Sequence, residues 1–80
     1  MFVEILTLEE VLFSKEAKSV VVPGESGTFE TLNNHAPIIS ILKKGTIKIT
    51  DTNNQKTSIE LNGGSIEMSN NKVTILADTE

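Results

Sequence analysis

The chain has 80 residues, a formal net charge of −4 and no cysteine. A chain of this length forms one small domain with a limited core, and without thiols it can form neither disulfides nor cysteine metal sites. All its basic residues are lysines, and it has no tryptophan or tyrosine, so it lacks the groups that most often read or stack on nucleic-acid bases. We therefore expect no nucleic-acid partner.

The apolar runs and the N-terminus argue against direct insertion into a membrane. No run approaches the roughly 20 apolar residues that cross a bilayer, and the first four residues lack the basic and apolar regions of a signal peptide. The sequence predicts a soluble domain, so we expect any membrane association to come through a partner.

The first third of the chain contains one ambiguous segment and one clear strand. Residues 7–10 read Thr-Leu-Glu-Glu, the pattern of a helix capping box, so local propensity permits a helical turn that continues to Phe13. Residues 20–22 are three valines followed by Pro23 and Gly24. Because β-branched runs favour strands and a Pro-Gly pair ends them, a strand is predicted up to residue 22.

The remainder of the chain consists of short alternating segments separated by turn residues. Ile47 and Ile49 alternate with Lys48, which predicts a strand with both isoleucines inward. Further strands are predicted at residues 38–42, 58–61, 66–68 and 72–77, with turns at residues 43–45, 51–54 and 70–71 and a bend or bulge at residues 63–64. Strands this short with turns this frequent predict an all-β sandwich or barrel.

No residue pattern in the chain indicates catalysis. His35 is the only histidine, and without a second imidazole or a thiol it does not predict a zinc site. Residues 24–27 read Gly-Glu-Ser-Gly but lack the Gly-Lys-Ser/Thr ending of a phosphate loop, so a glycine-containing turn is the better interpretation. The acidic residues are spread along the chain without a marked general acid–base pair. We expect surface recognition rather than an enzyme, with no metal and no cofactor.

The turn at residues 43–45 leaves a second interpretation open. Carrier domains of about this length present a lysine for lipoate or biotin at a hairpin tip, and Lys43 and Lys44 occupy such a turn. Those domains usually flank the lysine with Asp and Ala or with methionines, whereas the neighbours here are Leu42 and Gly45. A carrier domain modified on Lys43 or Lys44 stays an alternative, as does an unrelated all-β interaction module.

Four motifs in order carry a family resemblance over essentially the whole chain. Residues 22–37 follow the pattern V-x-G-x-x-G-x-[FL]-x-x-L-x-x-H-A-P, from Val22 to Pro37. The match continues through Leu-Lys-Lys-Gly at residues 42–45, Gly-Gly-Ser-Ile-Glu at 63–67 and Val-Thr-Ile-Leu-Ala-Asp at 73–78. With these motifs the chain resembles the epsilon subunits of F-type ATP synthases.

The resemblance implies one domain over residues 1–80, built as a flattened antiparallel β-sandwich of about ten short strands in two sheets. It also implies that residues 11–14 form a strand rather than a helical turn. In that family the domain is a non-catalytic rotor subunit of the central stalk, which couples the gamma subunit to the membrane c-ring so that ion-driven rotation powers ATP synthesis. It further implies a position at the cytoplasmic face of the bacterial inner membrane, through the complex.

The resemblance also implies two interfaces, by motif position. Thr7, His35 and Ser40 match gamma-facing positions. The edge that faces the c-ring is the turn formed by Glu25, Ser26, Gly27 and Thr28. Leu76, an outward position of the last predicted strand, belongs with an apolar face that meets gamma.

Two departures from the family pattern bear on these expectations. Asn33 and Asn34 replace a common Pro-Gly pair, and we expect Asn34 to take the left-handed conformation in place of the glycine. The sequence ends at Glu80, before the helical hairpin through which longer relatives inhibit ATP hydrolysis. We therefore expect neither that inhibition nor nucleotide binding by such an arm.

Overall fold

A computed structural model describes residues 1–79, which form eight β-strands joined by turns. The strands are β1 (Phe2–Leu6), β2 (Val11–Gly24), β3 (Gly27–Leu32), β4 (Ile38–Leu42), β5 (Gly45–Asp51), β6 (Lys56–Leu61), β7 (Gly63–Ser69) and β8 (Lys72–Asp78). Within residues 1–79, no helix has the length and apolarity that crossing a membrane requires.

The longest strand, β2, belongs to two sheets. Its first part pairs antiparallel with β1, from Glu16 opposite Phe2 to Val11 opposite Leu6. Its second part pairs antiparallel with β3 along one edge and with β5 along the other. The register with β5 shifts between Ala17 and Ser19. An irregularity of this kind lets one strand bend from one sheet into the next.

Two sheets result, and they share β2. We call sheet I the strands β3-β2-β5-β6 and sheet II the strands β2-β1-β8-β7-β4. All strand pairs are antiparallel except β1 and β8, which run parallel with Phe2 opposite Lys72. The far edge of sheet II returns to β2 where Leu42 of β4 pairs with Gly24.

The predicted all-β sandwich is confirmed, and two details differ. Residues 1–79 contain eight strands rather than about ten, and one of them, β2, takes part in both sheets. Sheet II is also mixed rather than purely antiparallel, because β8 lies beside β1 in parallel.

The helical turn that local propensity permits at residues 7–13 does not form. Thr7 Oγ1 accepts hydrogen bonds from the amides of Glu9 and Glu10 at 3.2 and 3.1 Å. The Thr7 amide donates to the Glu10 carbonyl at 2.9 Å, which closes a tight turn instead. Strand β2 then begins at Val11, as the family resemblance implies.

The core lies between the two sheets and is almost entirely aliphatic. Ile47 and Ile49 of sheet I are 0% and 1% exposed, which confirms their predicted inward direction. The buried residues of sheet II include Val3, Ile5, Ile66, Met68, Val73 and Ile75. Burying one such side chain contributes about 1.5–3 kcal/mol, so this layer supplies much of the driving force for folding.

Asparagines occupy turn positions that require a left-handed backbone. The φ angle is 60° at Asn34, 53° at Asn70 and 59° at Asn71. Two successive residues with positive φ are characteristic of the type I′ turn, and here they join β7 to β8. The hairpin predicted at residues 70–71 is confirmed, and Asn34 takes the conformation expected in place of a glycine.

Candidate protein-interaction surface

An apolar stripe crosses the outer face of sheet II. Because Ile5, Ile66 and Ile75 are buried, their neighbours along each strand point outward. The register aligns these outward residues across the five strands in the order Val11, Leu6, Leu76, Ser65 and Ile41. We call the apolar stripe the four apolar residues of this row together with one residue of the next row: Val11, Leu6, Leu76, Ile41 and Ile39.

Most of the stripe is open to solvent. Ile39 is 83% exposed, Val11 57%, and Leu76 and Ile41 55% each, while Leu6 is half-buried. Single exposed aliphatic residues are common on protein surfaces, but several on one face of a sheet are typical of a surface that binds another molecule. The outward direction predicted for Leu76 is confirmed.

Acidic side chains border the stripe on both sides. Glu4 and Glu67 lie in the row beside it. On the other side, Glu9 and Glu10 lie in the β1–β2 turn, and Asp78 lies at the end of β8. Lys72 Nζ lies 3.6 Å from Glu4 Oε1, and Lys43 follows β4 at one corner. Acidic residues therefore outnumber basic residues around the stripe.

The outer face of sheet I is polar by comparison. Its register aligns Glu30, Val21, Lys48 and Ser58 in one row, and the next row contains Leu32, Ser19, Thr50 and Lys56. Leu32, at 51% exposed, is the large apolar side chain open to solvent here. Since the buried centres of protein interfaces are depleted in charged residues, sheet II offers the better docking face.

The three residues predicted to face gamma lie at different places along sheet II. Thr7 follows β1, and Ser40 lies half-buried in β4 opposite inward Ile66. His35 is exposed in the β3–β4 loop, at the opposite end of the sheet from Thr7. Its loop is fixed there by a hydrogen bond of 2.7 Å from the Asn34 amide to Asn71 Oδ1. The fold therefore separates Thr7 from His35.

The four residues predicted to face the c-ring form the exposed tip of the β2–β3 hairpin: Glu25, Ser26, Gly27 and Thr28. The Glu25 amide donates to the Ile41 carbonyl at 2.9 Å, which holds the tip against the end of β4. Leu42 of β4 pairs with Gly64 of β7, and Gly64 pairs with Ala77 of β8. Ala77 lies just beyond the last residue pair of β8 with β1, so the end of β4 and the end of β1 lie at the same end of sheet II. The tip therefore lies at the same end of the domain as Thr7.

Sequence reasoning identified only Leu76 of the stripe. Ile39 and Ile41 carried a signal, because alternate members of the apolar run at residues 38–42 must point to opposite faces. Which of them point outward, and that Val11 and Leu6 continue the same row, depends on the pairing of β1 with β8 and of β4 with β7. That pairing is not encoded in any local pattern.

Comparison with known proteins identifies the family. Residues 1–80 match the family model described as the ATP synthase Delta/Epsilon chain β-sandwich domain. The chain belongs to this family. The ATP synthase epsilon chains of Bordetella avium and Campylobacter curvus are each 42% identical to it, over 79 and 78 residues.

These epsilon chains are longer than the present one. The aligned regions cover 99% and 98% of this chain but 56% and 60% of the Bordetella and Campylobacter relatives, so the chain spans little more than half of their length. An ATP synthase epsilon chain of Chlorobium limicola is 33% identical over 75 residues, which are 94% of this chain and 85% of that relative.

Two solved structures share the fold of this epsilon-family domain. A chain in the Euglena gracilis mitochondrial ATP synthase (OSCP, F1 and c-ring) superposes with a TM-score of 0.88 at 16% identity, over 94% of this chain and 48% of that one. A chain in the Tetrahymena thermophila mitochondrial central stalk and c-ring gives a TM-score of 0.80 at 15% identity, over 98% and 63%. At these identities the likeness shows the fold alone.

Proposed function

We propose that this chain is a non-catalytic rotor component of an F-type ATP synthase, which couples the gamma subunit to the c-ring so that ion-driven rotation powers ATP synthesis. The observation that carries the proposal is the match to the Delta/Epsilon β-sandwich family over residues 1–80. Both structural neighbours come from assemblies that include a c-ring, and one of them from a central stalk, which supports the same role.

In β4, Ser40 points inward beside Ile66, and His35 lies at the opposite end of sheet II from Thr7, so contacts of these two side chains with gamma stay predictions. The proposal assigns the apolar stripe of sheet II to the gamma subunit. It assigns the c-ring to the exposed tip formed by Glu25, Ser26, Gly27 and Thr28. A polar hairpin tip suits the polar loops of a ring, whereas an apolar sheet face suits a contact that stays buried. Thr7, at the same end of the domain as the tip, lies where these two surfaces approach each other.

In this proposal the domain binds and positions but performs no chemistry. Within residues 1–79, no three histidine or acidic side chains come together as metal ligands. His35 Nδ1 lies 2.7 Å from the Ala36 carbonyl oxygen, a backbone contact that does not activate a nucleophile. The domain would sit peripherally at the cytoplasmic face of a bacterial inner membrane, through the complex.

The carrier-domain alternative is not favoured. Lys43 and Lys44 lie in the exposed turn between β4 and β5, but this turn falls within the region that matches the Delta/Epsilon family. The two lysines are therefore accounted for without a lipoyl or biotinyl modification.

The test is binding of this chain to the gamma subunit of the same organism, measured by calorimetry. Replacing Leu76 and Ile41 together by serine removes two exposed side chains of the stripe, and we expect affinity to fall at least about tenfold because a few large apolar contacts carry most interface energy. Leu32→Ser on sheet I is the matched control and should bind normally. Circular dichroism verifies that each variant is folded. Absence of any association with gamma or with F1 would refute the proposal.

A further inference from the structure

The charge around the apolar stripe limits what can cover it. Within residues 1–79, Glu67, Glu9, Glu10 and Asp78 take part in no salt bridge. A partner that covers the stripe removes water from the edges where these carboxylates lie. Losing that water is unfavourable unless the partner supplies cations or hydrogen-bond donors.

A second copy of this chain does not meet that requirement. In a twofold dimer through sheet II, the same surface meets itself. Glu67 and the acidic β1–β2 turn would then approach the same carboxylates of the other copy, and like charges across an interface oppose association. Of the lysines near this face, Lys72 is already paired with Glu4 and Lys43 lies at one corner. Lys48 and Lys56 lie on the outer face of sheet I, away from this contact.

We propose that the gamma surface covering the stripe presents an apolar ridge flanked on both sides by lysine or arginine side chains. One basic flank pairs with Glu67, and the other pairs with Glu9 and Glu10. This inference rests on the proposed function, which names the partner, and adds the chemistry by which that partner is recognised. The charges at the border steer sheet II, rather than sheet I, toward the partner during encounter.

The two faces of the sandwich provide a matched pair of variants. Glu67→Lys changes a carboxylate beside the stripe, and Glu30→Lys makes the same substitution on the outer face of sheet I. Both positions are exposed strand residues, so neither change disturbs the core, and both alter the net charge equally. Any difference between them in gamma binding therefore reports where the charge lies rather than how large it is.

The experiment measures gamma binding of the 80-residue chain and both variants at low and high salt. We expect Glu67→Lys to weaken binding on the order of tenfold at low salt, and Glu30→Lys to leave it within about twofold. Affinity of the unaltered chain should fall as salt screens the flanking pairs, and Glu67→Lys should flatten that dependence. Glu9→Lys with Glu10→Lys gives a second, independent variant on the other flank.

Each outcome separates this inference from the proposed function. If the unaltered chain binds gamma but Glu67→Lys binds equally well or better, the basic flanks are absent and the inference is wrong, while the rotor role stands. Salt-independent binding would lead to the same conclusion. If sedimentation at low salt shows a dimer that Leu76→Ser disrupts, a second copy covers the stripe instead. If gamma does not bind at all, the proposed function fails together with the inference.

Discussion

Thr31 is a polar residue inside an otherwise aliphatic core. It is 0% exposed, and its Oγ1 has no hydrogen-bond partner among the residues that the structure describes. A buried hydroxyl without a partner destabilises the folded state relative to a methyl group of the same shape. Thr31 faces Val20 across the β2–β3 pair, where the shape of valine fits as well as that of threonine.

We expect Thr31→Val to raise the free energy of unfolding by about 1 kcal/mol. Urea denaturation measures the change, and Thr57→Val on the exposed part of β6 serves as the control, with an expected effect within about 0.5 kcal/mol. A destabilised Thr31→Val variant would contradict this expectation, because it would mean that the hydroxyl forms a stabilising hydrogen bond.

Asp51 is the buried acidic residue at the end of β5. Its Oδ1 accepts hydrogen bonds from the amides of Gln55 at 3.0 Å and Asn53 at 2.8 Å, and Lys15 Nζ lies 3.3 Å from Oδ2. The Gln55 hydrogen bond is the largest of the effects that hold the pKa of Asp51 below its ordinary value of 3.8, and it outweighs the opposing effect of burial. The carboxylate thus stabilises the turn that leads into β6.

A lowered pKa in the folded state fixes the direction of the pH dependence. The stabilisation from Asp51 is fully present above 3.8 and is lost as pH falls below that value through the folded pKa. We expect Asp51→Asn to be less stable than the unaltered chain near neutral pH, with the two denaturation curves converging in acid. Curves that stay equally far apart in acid would contradict this role of the Asp51 carboxylate.

Thr7 shows how far local patterns can predict this structure. The capping-box pattern correctly indicates that Thr7 Oγ1 receives the amide of Glu10 three residues later. It does not predict the strand that begins at Val11, because β2 gains a full ladder with β1 and two more with β3 and β5. That pairing outweighs the weak helical preference of residues 11–13.

At the scale of elements, the β7–β8 hairpin depends on its two asparagines for different reasons. Asn70 and Asn71 both supply positive φ, which glycine can also supply. Only the Asn71 side chain does more, since its Oδ1 accepts the Asn34 amide at 2.7 Å. This bond ties the hairpin to the loop that carries His35.

We expect Asn71→Gly to lower the unfolding free energy by about 1 kcal/mol, because the backbone conformation survives but the Asn34 amide loses its acceptor. Asn70→Gly keeps both features and should be near neutral. Comparing the two by thermal denaturation isolates the side-chain bond, and equal effects would mean that the bond contributes nothing. Faster amide exchange at Asn34 in the Asn71 variant provides a local readout.

The individual strands were predictable where apolar and polar residues alternate, as at Ile47, Lys48 and Ile49. The long β2 was predicted only in part, because its bulge near Lys18 interrupts the alternation of inward and outward residues by which a strand is recognised. The parallel pairing of β1 with β8 could not be read from the sequence, since nothing local distinguishes it from antiparallel pairing. The stripe depends on that pairing and was therefore also missed, apart from Leu76.

The whole molecule is a compact body whose two broad faces differ in chemistry. The Cα atoms extend over 29 × 23 × 18 Å, and one thin layer of aliphatic side chains separates the apolar face of sheet II from the polar face of sheet I. Because β2 runs through both sheets, the faces are connected covalently as well as by packing. A force applied at the hairpin tip between β2 and β3 is therefore carried along β2 into sheet II.

The parallel pair of β1 and β8 also sets the order in which the domain can mature on the ribosome. Strand β1 lies between β2 and β8. One edge of β1 can pair early with β2 in a local hairpin, but its second edge stays unpaired until β8, residues 72–78, is synthesised. Until then, this unpaired edge of β1 can capture another nascent chain. Closure over such a long sequence separation is slow compared with hairpin formation. Nascent chains stalled before residue 72 should consequently remain open to protease, and emergence of β8 should protect all eight strands at once.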